Sequence, residues 1–213
     1  MNNPFLLLFW IVAGATLAIA QAGEKGFFQN DTGTIAFEAV TNVPGIEVKG
    51  KSNALSARAE VFQNGADLVV RRVEASLQVS TLTTGMKVRD EHMRKYIFTT
   101  PDGQLPALSF TAGQAGCGNS GAREYSCEIP GYLTIRGVSR PLTIRLRVKQ
   151  ETASLGVFHA AGDGTVKLSD YGIEAPSQFG VKPSNDVRIH IEFSCRKKAE
   201  IAADASAGAG DYR

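Results

Sequence analysis

The chain has 213 residues, 23 basic against 21 acidic side chains, three cysteines and 43% hydrophobic residues. That balance leaves no basic surplus of the kind nucleic-acid binding needs, and Arg196-Lys197-Lys198 reads as a solvated strand end. The apolar content suffices for one domain of ordinary size with a substantial core.

The first segment stands apart. Residues 5–20 read FLLLFWIVAGATLAIA, without a charge. A comfortable membrane span needs about 20 apolar residues. The run ends in Ala18-Ile19-Ala20 and Ala20-Gln21-Ala22, both small-x-small patterns. This layout predicts a secretory signal peptide over residues 1–22, although Met1–Pro4 holds no Lys or Arg. A retained anchor is the alternative. Cleavage after Ala22 places the mature chain in the periplasm or outside the cell.

Downstream the pattern has period two, as in strands with one wet and one dry face. Short alternations at Ile35/Phe37 and Ile46/Val48 come first. Val73, Ala75, Leu77 and Val79 then alternate with Arg72, Glu74, Ser76 and Gln78. The segment from Gly85 to Phe98 breaks the rule: Met86, Arg89, Asp90, Met93, Arg94 and Ile97 recur at helical spacing. It predicts a single connecting helix near residues 85–97. Leu108/Phe110 and Leu133/Ile135 resume the strand pattern. Leu142, Ile144, Leu146 and Val148 continue it, and Val187, Ile189, Ile191 and Phe193 close it.

Asn64-Gly65, Asp102-Gly103, Pro130-Gly131, Asp163-Gly164 and Pro183-Ser184 read as turns, with another at Arg136-Gly137-Val138. About eight to ten one-sided strands with regular turns predict an all-β sandwich or barrel. The tail over residues 201–213, made mostly of small residues, is expected to be disordered. Domain limits follow: a signal peptide at 1–22, a β domain at 23–200 and the tail at 201–213.

Cys117 and Cys127 bracket CGNSGAREYSC, a glycine-rich stretch that reads as a turn. Its arms come close enough for a disulfide, which an oxidising compartment preserves. Cys195 is left over, as a buried thiol or as a competitor for a partner. The cysteine spacing does not suit zinc, and no metal or cofactor is expected. Arg89-Asp90-Glu91-His92 admits two readings. One makes His92 a base oriented by Asp90, as in a hydrolase. The other, preferred because nothing marks a nucleophile, has these residues pin the helix against the β domain.

Several motifs in order add a resemblance. Ser80-Thr81-Leu82-Thr83-Thr84 leads into Arg89-Asp90-Glu91-His92-Met93-Arg94, Phe98 and Pro106-Ala107-Leu108-Ser109-Phe110. Gly131-Tyr132-Leu133-Thr134-Ile135-Arg136-Gly137-Val138 follows, then Ser169-Asp170-Tyr171-Gly172-Ile173 and the strand Asp186–Phe193. Together they resemble the YceI-like family across nearly all of the mature chain. The resemblance implies a lipocalin-like antiparallel up-and-down barrel of about eight strands, periplasmic or secreted. It also implies a non-enzymatic binder of a polyisoprenoid or fatty-acyl chain. Gly33-Thr34-Ile35-Ala36-Phe37 lacks the family's His-Ser pair, and the stretch Thr99–Leu105 is longer than usual. Both places are expected near the barrel mouth.

The dry faces nominate an apolar lining of Phe37, Val73, Leu77, Phe110, Leu133, Ile135, Ile144, Phe158, Ile189 and Ile191. The expected partner is a long apolar small molecule and not nucleic acid. A membrane-surface encounter for ligand exchange and a homodimer stay open. The alternative to a lipid carrier is a filled barrel that serves as a structural or interaction protein of the envelope.

Overall fold

The computed structural model describes residues 24–64, 67–151, 156–177 and 180–198. The proposed signal peptide and tail lie outside them. The strands are β1 (Glu24–Val40), β2 (Glu47–Ser52), β3 (Ser56–Asn64), β4 (Asp67–Leu77), β5 (Leu108–Gly121), β6 (Glu124–Ile135), β7 (Val138–Gln150), β8 (Val157–Lys167) and β9 (Asp186–Lys197). Between β4 and β5 lies the helix α1 (Lys87–Met93), which continues as a π-helical turn over Arg94–Phe98.

All the strand pairings are antiparallel, and β9 returns to β1, so the sheet closes into an eight-strand barrel. Nine segments make eight staves because β2 and β3 share one edge of β1 in a single register: Val40 faces Glu47, Ile35 faces Ser52 and Gln29 faces Arg58. The break between them is bridged by Asn30. Its Nδ2 donates to Leu55 O at 2.5 Å, and its Oδ1 accepts Ala57 N–H at 2.8 Å. Beside that break the β1–β9 register slips between Asn30 and Thr32, as a bulge requires.

Some turn readings are corrected. Arg136 and Gly137 form the tight β6–β7 turn with φ of 52° and 79°, the left-handed pair such hairpins use. Pro130-Gly131 and Asp163-Gly164, by contrast, lie inside β6 and β8. Proline is tolerated there because the β5–β6 ladder is interrupted between Thr111 and Cys117, where a missing N–H costs no bond. Gly131 leaves room for the Phe110 ring, which approaches within 2.5 Å of where a Cβ would sit. The glycine-rich stretch after Cys117 is strand to Gly121, and the chain reverses only at Ala122-Arg123. Alternate residues still face inward without large side chains, so strand geometry survives a turn-like composition.

The barrel has unlike ends. Phe28, Leu68, Tyr125, Phe158 and the Cys117–Cys127 disulfide pack at one end, every one of them buried. Phe28 and Phe158 meet edge to face at 5.2 Å, and Gln63 donates to the Tyr125 hydroxyl at 3.1 Å. This is the floor. At the other end the chain leaves β4 into α1 and leaves β8 into a 3₁₀ turn (Leu168–Tyr171) and the loop before β9.

Candidate functional site: the barrel interior

Small barrels of eight strands are either filled by their side chains or hold a ligand. This one encloses a cavity of about 720 Å³. Val61, Val70, Val73, Ile189 and Ile191 all point inward and line it, yet each is only half-buried. Their uncovered surface faces the cavity. Packing is dense toward the floor, where Ile129 and Ile144 join the buried residues, and again under α1, where Leu55, Leu77, Leu82 and Met93 form a second buried cluster.

All ten residues nominated from the dry faces lie on this wall, from Phe37 on β1 through Val73 and Leu77 on β4 and Phe110 on β5. Leu133 and Ile135 come from β6, Ile144 from β7, Phe158 from β8, and Ile189 and Ile191 from β9. Their convergence follows from topology: in a closed up-and-down sheet every dry face becomes one interior. Cys195 also lines the cavity. Cys117 and Cys127 face each other directly in the β5–β6 register, with Cα atoms 4.2 Å apart and the disulfide formed.

Sequence reasoning missed the wall's contributions from outside the strands. Arg89, His92, Met93 and Tyr96 of the α1 segment line the cavity, as do Ala175, Pro176, Val181 and Pro183 before β9. The signal was present: positions 89, 92, 93 and 96 form one helical stripe. Ile46 and Tyr96 belong to the lining although 44% and 47% exposed, so the cavity reaches the surface beside them.

The Arg89–His92 cluster therefore divides. Asp90 does the pinning. Its buried carboxylate accepts Thr83 Oγ1–H at 2.7 Å, Thr84 N–H at 2.7 Å and Thr84 Oγ1–H at 2.6 Å. Burial alone would push this carboxyl up; the hydrogen bonds from Thr84 and Thr83, with Arg94 nearby, outweigh it and hold the pKa below the usual range. Arg94 adds bonds to Ser80 O at 3.2 Å and Leu82 O at 3.3 Å. His92 faces the cavity instead, its ring 5.7 Å from Tyr96 in an edge contact. The pairing of His92 with Asp90 that a hydrolase would need is not made, since the Asp90 oxygens are engaged by the two threonines.

Of the two places expected at the mouth, Thr99–Leu105 lies at the α1 end of the barrel and contributes no residue to the cavity lining. The Thr99–Leu105 stretch follows the α1 segment and is closed by Thr100, whose N–H and hydroxyl both reach Gln104 O. Gly33 lies instead mid-wall, opposite Phe193 and against Leu55 O at the β2–β3 break.

A family model described as a YceI-like domain matches residues 28–195. Among curated proteins, a UPF0312 protein of Pseudomonas paraeruginosa is 28% identical over 106 residues, covering 48% of this chain and 52% of its own. A UPF0312 protein of Pseudomonas aeruginosa is 27% identical with the same coverage. The chain thus spans about half the length of the curated relatives it matches. Solved structures extend the likeness in fold. A polyisoprenoid binding domain from Saccharophagus degradans, implicated in plant cell wall breakdown, aligns with a TM-score of 0.60 at 16% identity, covering 80% of this chain and 98% of that one. BcnA of Burkholderia cenocepacia gives 0.56 at 16% identity, covering 76% and 95%. A YCEI protein of Campylobacter jejuni gives 0.56 at 19%, covering 75% and 91%.

Proposed function

The chain belongs to the YceI-like family, and from that premise we propose that it is an exported carrier or store for a long apolar molecule of isoprenoid or fatty-acyl type, without catalytic activity. The observation that supports this most is the cavity itself. Its volume of about 720 Å³ lies within the roughly 300–1,000 Å³ typical of ligand pockets. A filled structural barrel would leave no such space. The polyisoprenoid-binding neighbour of the same fold agrees with the class of ligand. Transfer of each ligand CH₂ from water into this lining is worth about 0.8 kcal/mol before ordering costs.

Periplasmic or secreted residence fits the charge-free N-terminal run and the disulfide. Among the described residues no helix is long and apolar enough to cross a membrane. Ligand exchange at a membrane surface is consistent with an opening flanked by exposed Ile46 and Tyr96. Mass spectrometry of organic extracts from purified protein tests the proposal. A stoichiometric long-chain lipid is expected. Absence of lipid, together with failure to take up a neutral apolar fluorophore, would overturn it.

A further inference from the structure

Among the described residues, three charged side chains line the mostly apolar cavity: Glu47, Arg58 and Arg89. Two are matched. Glu47 Oε2 lies 2.7 Å from Lys49 Nζ, and Arg58 donates to the Glu74 carboxylate. Arg89 differs. Its guanidinium reaches the thioether of Met86, and among the described residues no carboxylate stands within ion-pair distance of it. The neighbouring acid, Asp90, is turned away and occupied by Thr83 and Thr84. Arg89 as a residue is half-buried, and its guanidinium offers up to five donors and no acceptor, so it suits an anion better than a neutral wall.

His92 stands one helical turn further on, on the same stripe and in the same wall, and supplies a second polar donor. Beyond these two the stripe turns apolar with Met93 and Ile97. The polar pair thus sits on the α1 segment at the open end, while the floor is sealed by Phe28 and Phe158.

We propose that Arg89 and His92 form a head-group subsite, so that the ligand of this barrel is an acidic amphiphile: an apolar tail in the cavity and a carboxylate or phosphate at Arg89. This deepens the container reading and rests on it. Arg89 is the principal contact and His92 the secondary one. A neutral lipid of equal tail length leaves the guanidinium unanswered.

The test is displacement of the neutral fluorophore N-phenyl-1-naphthylamine from the full mature chain, using tail-matched pairs: oleic acid against methyl oleate, and farnesyl phosphate against farnesol. Wild type should bind the acidic member of at least one pair about tenfold or more tighter, the scale of a charge-assisted contact. The pair with the larger ratio identifies the anion as carboxylate or phosphate. Arg89→Gln should collapse that ratio toward one, because it removes the charge that only the acidic member answers. Arg89→Lys keeps the charge and should retain part of the preference. Ratios near one in both wild-type pairs overturn the subsite while leaving the container standing. A ratio that survives Arg89→Gln, or that Arg89→Lys loses as fully as Gln does, also overturns it. If the fluorophore and the neutral lipids all fail to bind, the container reading falls, and the subsite with it.

Discussion

Asp90 holds Thr84 twice, accepting both its backbone N–H and its hydroxyl, and so fastens α1 to the segment that leads into it, where Thr83 bridges to Lys51 of β2. The helix spans only seven residues, too few to be stable alone. Its place over the barrel depends on this carboxylate.

Asp90→Ala should therefore lower stability by about 2–4 kcal/mol, because it leaves donors of Thr83 and Thr84 unmet in a buried position. Urea unfolding at neutral pH measures this. Thr84→Val, which keeps the backbone bond and removes the hydroxyl bond, should cost less. The pH dependence has a fixed sign. The folded pKa of Asp90 lies below its unfolded value, so its contribution is present above the unfolded pKa and is lost as pH falls through the folded one. Asp90→Asn should flatten the acid limb of the stability curve.

His190 on the outer wall gives the opposite sign. Its Nδ1 lies 2.8 Å from Asp163 Oδ1 and its Nε2 3.1 Å from Glu192 Oε1, and the two carboxylates raise its pKa, Asp163 foremost. The stabilisation is full below the unfolded histidine pKa and fades as pH rises through the folded one. The site is exposed, so the effect should stay under about 1 kcal/mol. His190→Gln should remove this step from stability measured across that window, leaving ligand binding unchanged.

The Cys117–Cys127 bridge closes a loop of sequence separation 10. Chain entropy alone assigns such a bridge about 2.7 kcal/mol. Reduction, or the double change Cys117→Ser with Cys127→Ser, should lower the free energy of unfolding by about 2–3 kcal/mol. Comparing urea midpoints with and without reductant checks this.

Ala75 is an inward position on β4 where a larger side chain enters the cavity rather than the packed floor. Ala75→Trp should weaken uptake of a neutral apolar fluorophore by about tenfold or more while altering stability by less than about 2 kcal/mol. Ile173→Ala, at a buried position outside the lining, should do the reverse: a loss of about 2–4 kcal/mol in stability with binding retained. Paired melting curves and fluorophore titrations separate the two behaviours.

The legible part of the molecule was its repetition. Leu142, Ile144, Leu146 and Val148 alternate cleanly because β7 keeps one register along its whole length, and that regularity yields both the barrel and its wall. β1 was readable only in part. The bulge after Asn30 shifts which residues face inward, so Phe28 and Ile35 belong to one wall but not to one period. β5 was obscured by glycine, since Gly113, Gly116 and Gly118 contribute no side chain to either face. The role of His92 was hidden for another reason. A lone polar residue on a helix looks the same whether it turns toward a barrel or away, and only the pinning of Asp90 decides which face is inward.

The sealed floor makes the barrel a gauge. Under the proposed function, a chain threaded past α1 would advance until it met the Phe28–Phe158 pair. Tails shorter than that depth leave apolar wall uncovered. Longer ones must fold back or protrude beside Tyr96 and Ile46. If the Arg89 subsite holds as proposed, the distance between a guanidinium at one end and an aromatic stop at the other would set a preferred length, and cargo would be sorted by carbon count as much as by chemistry.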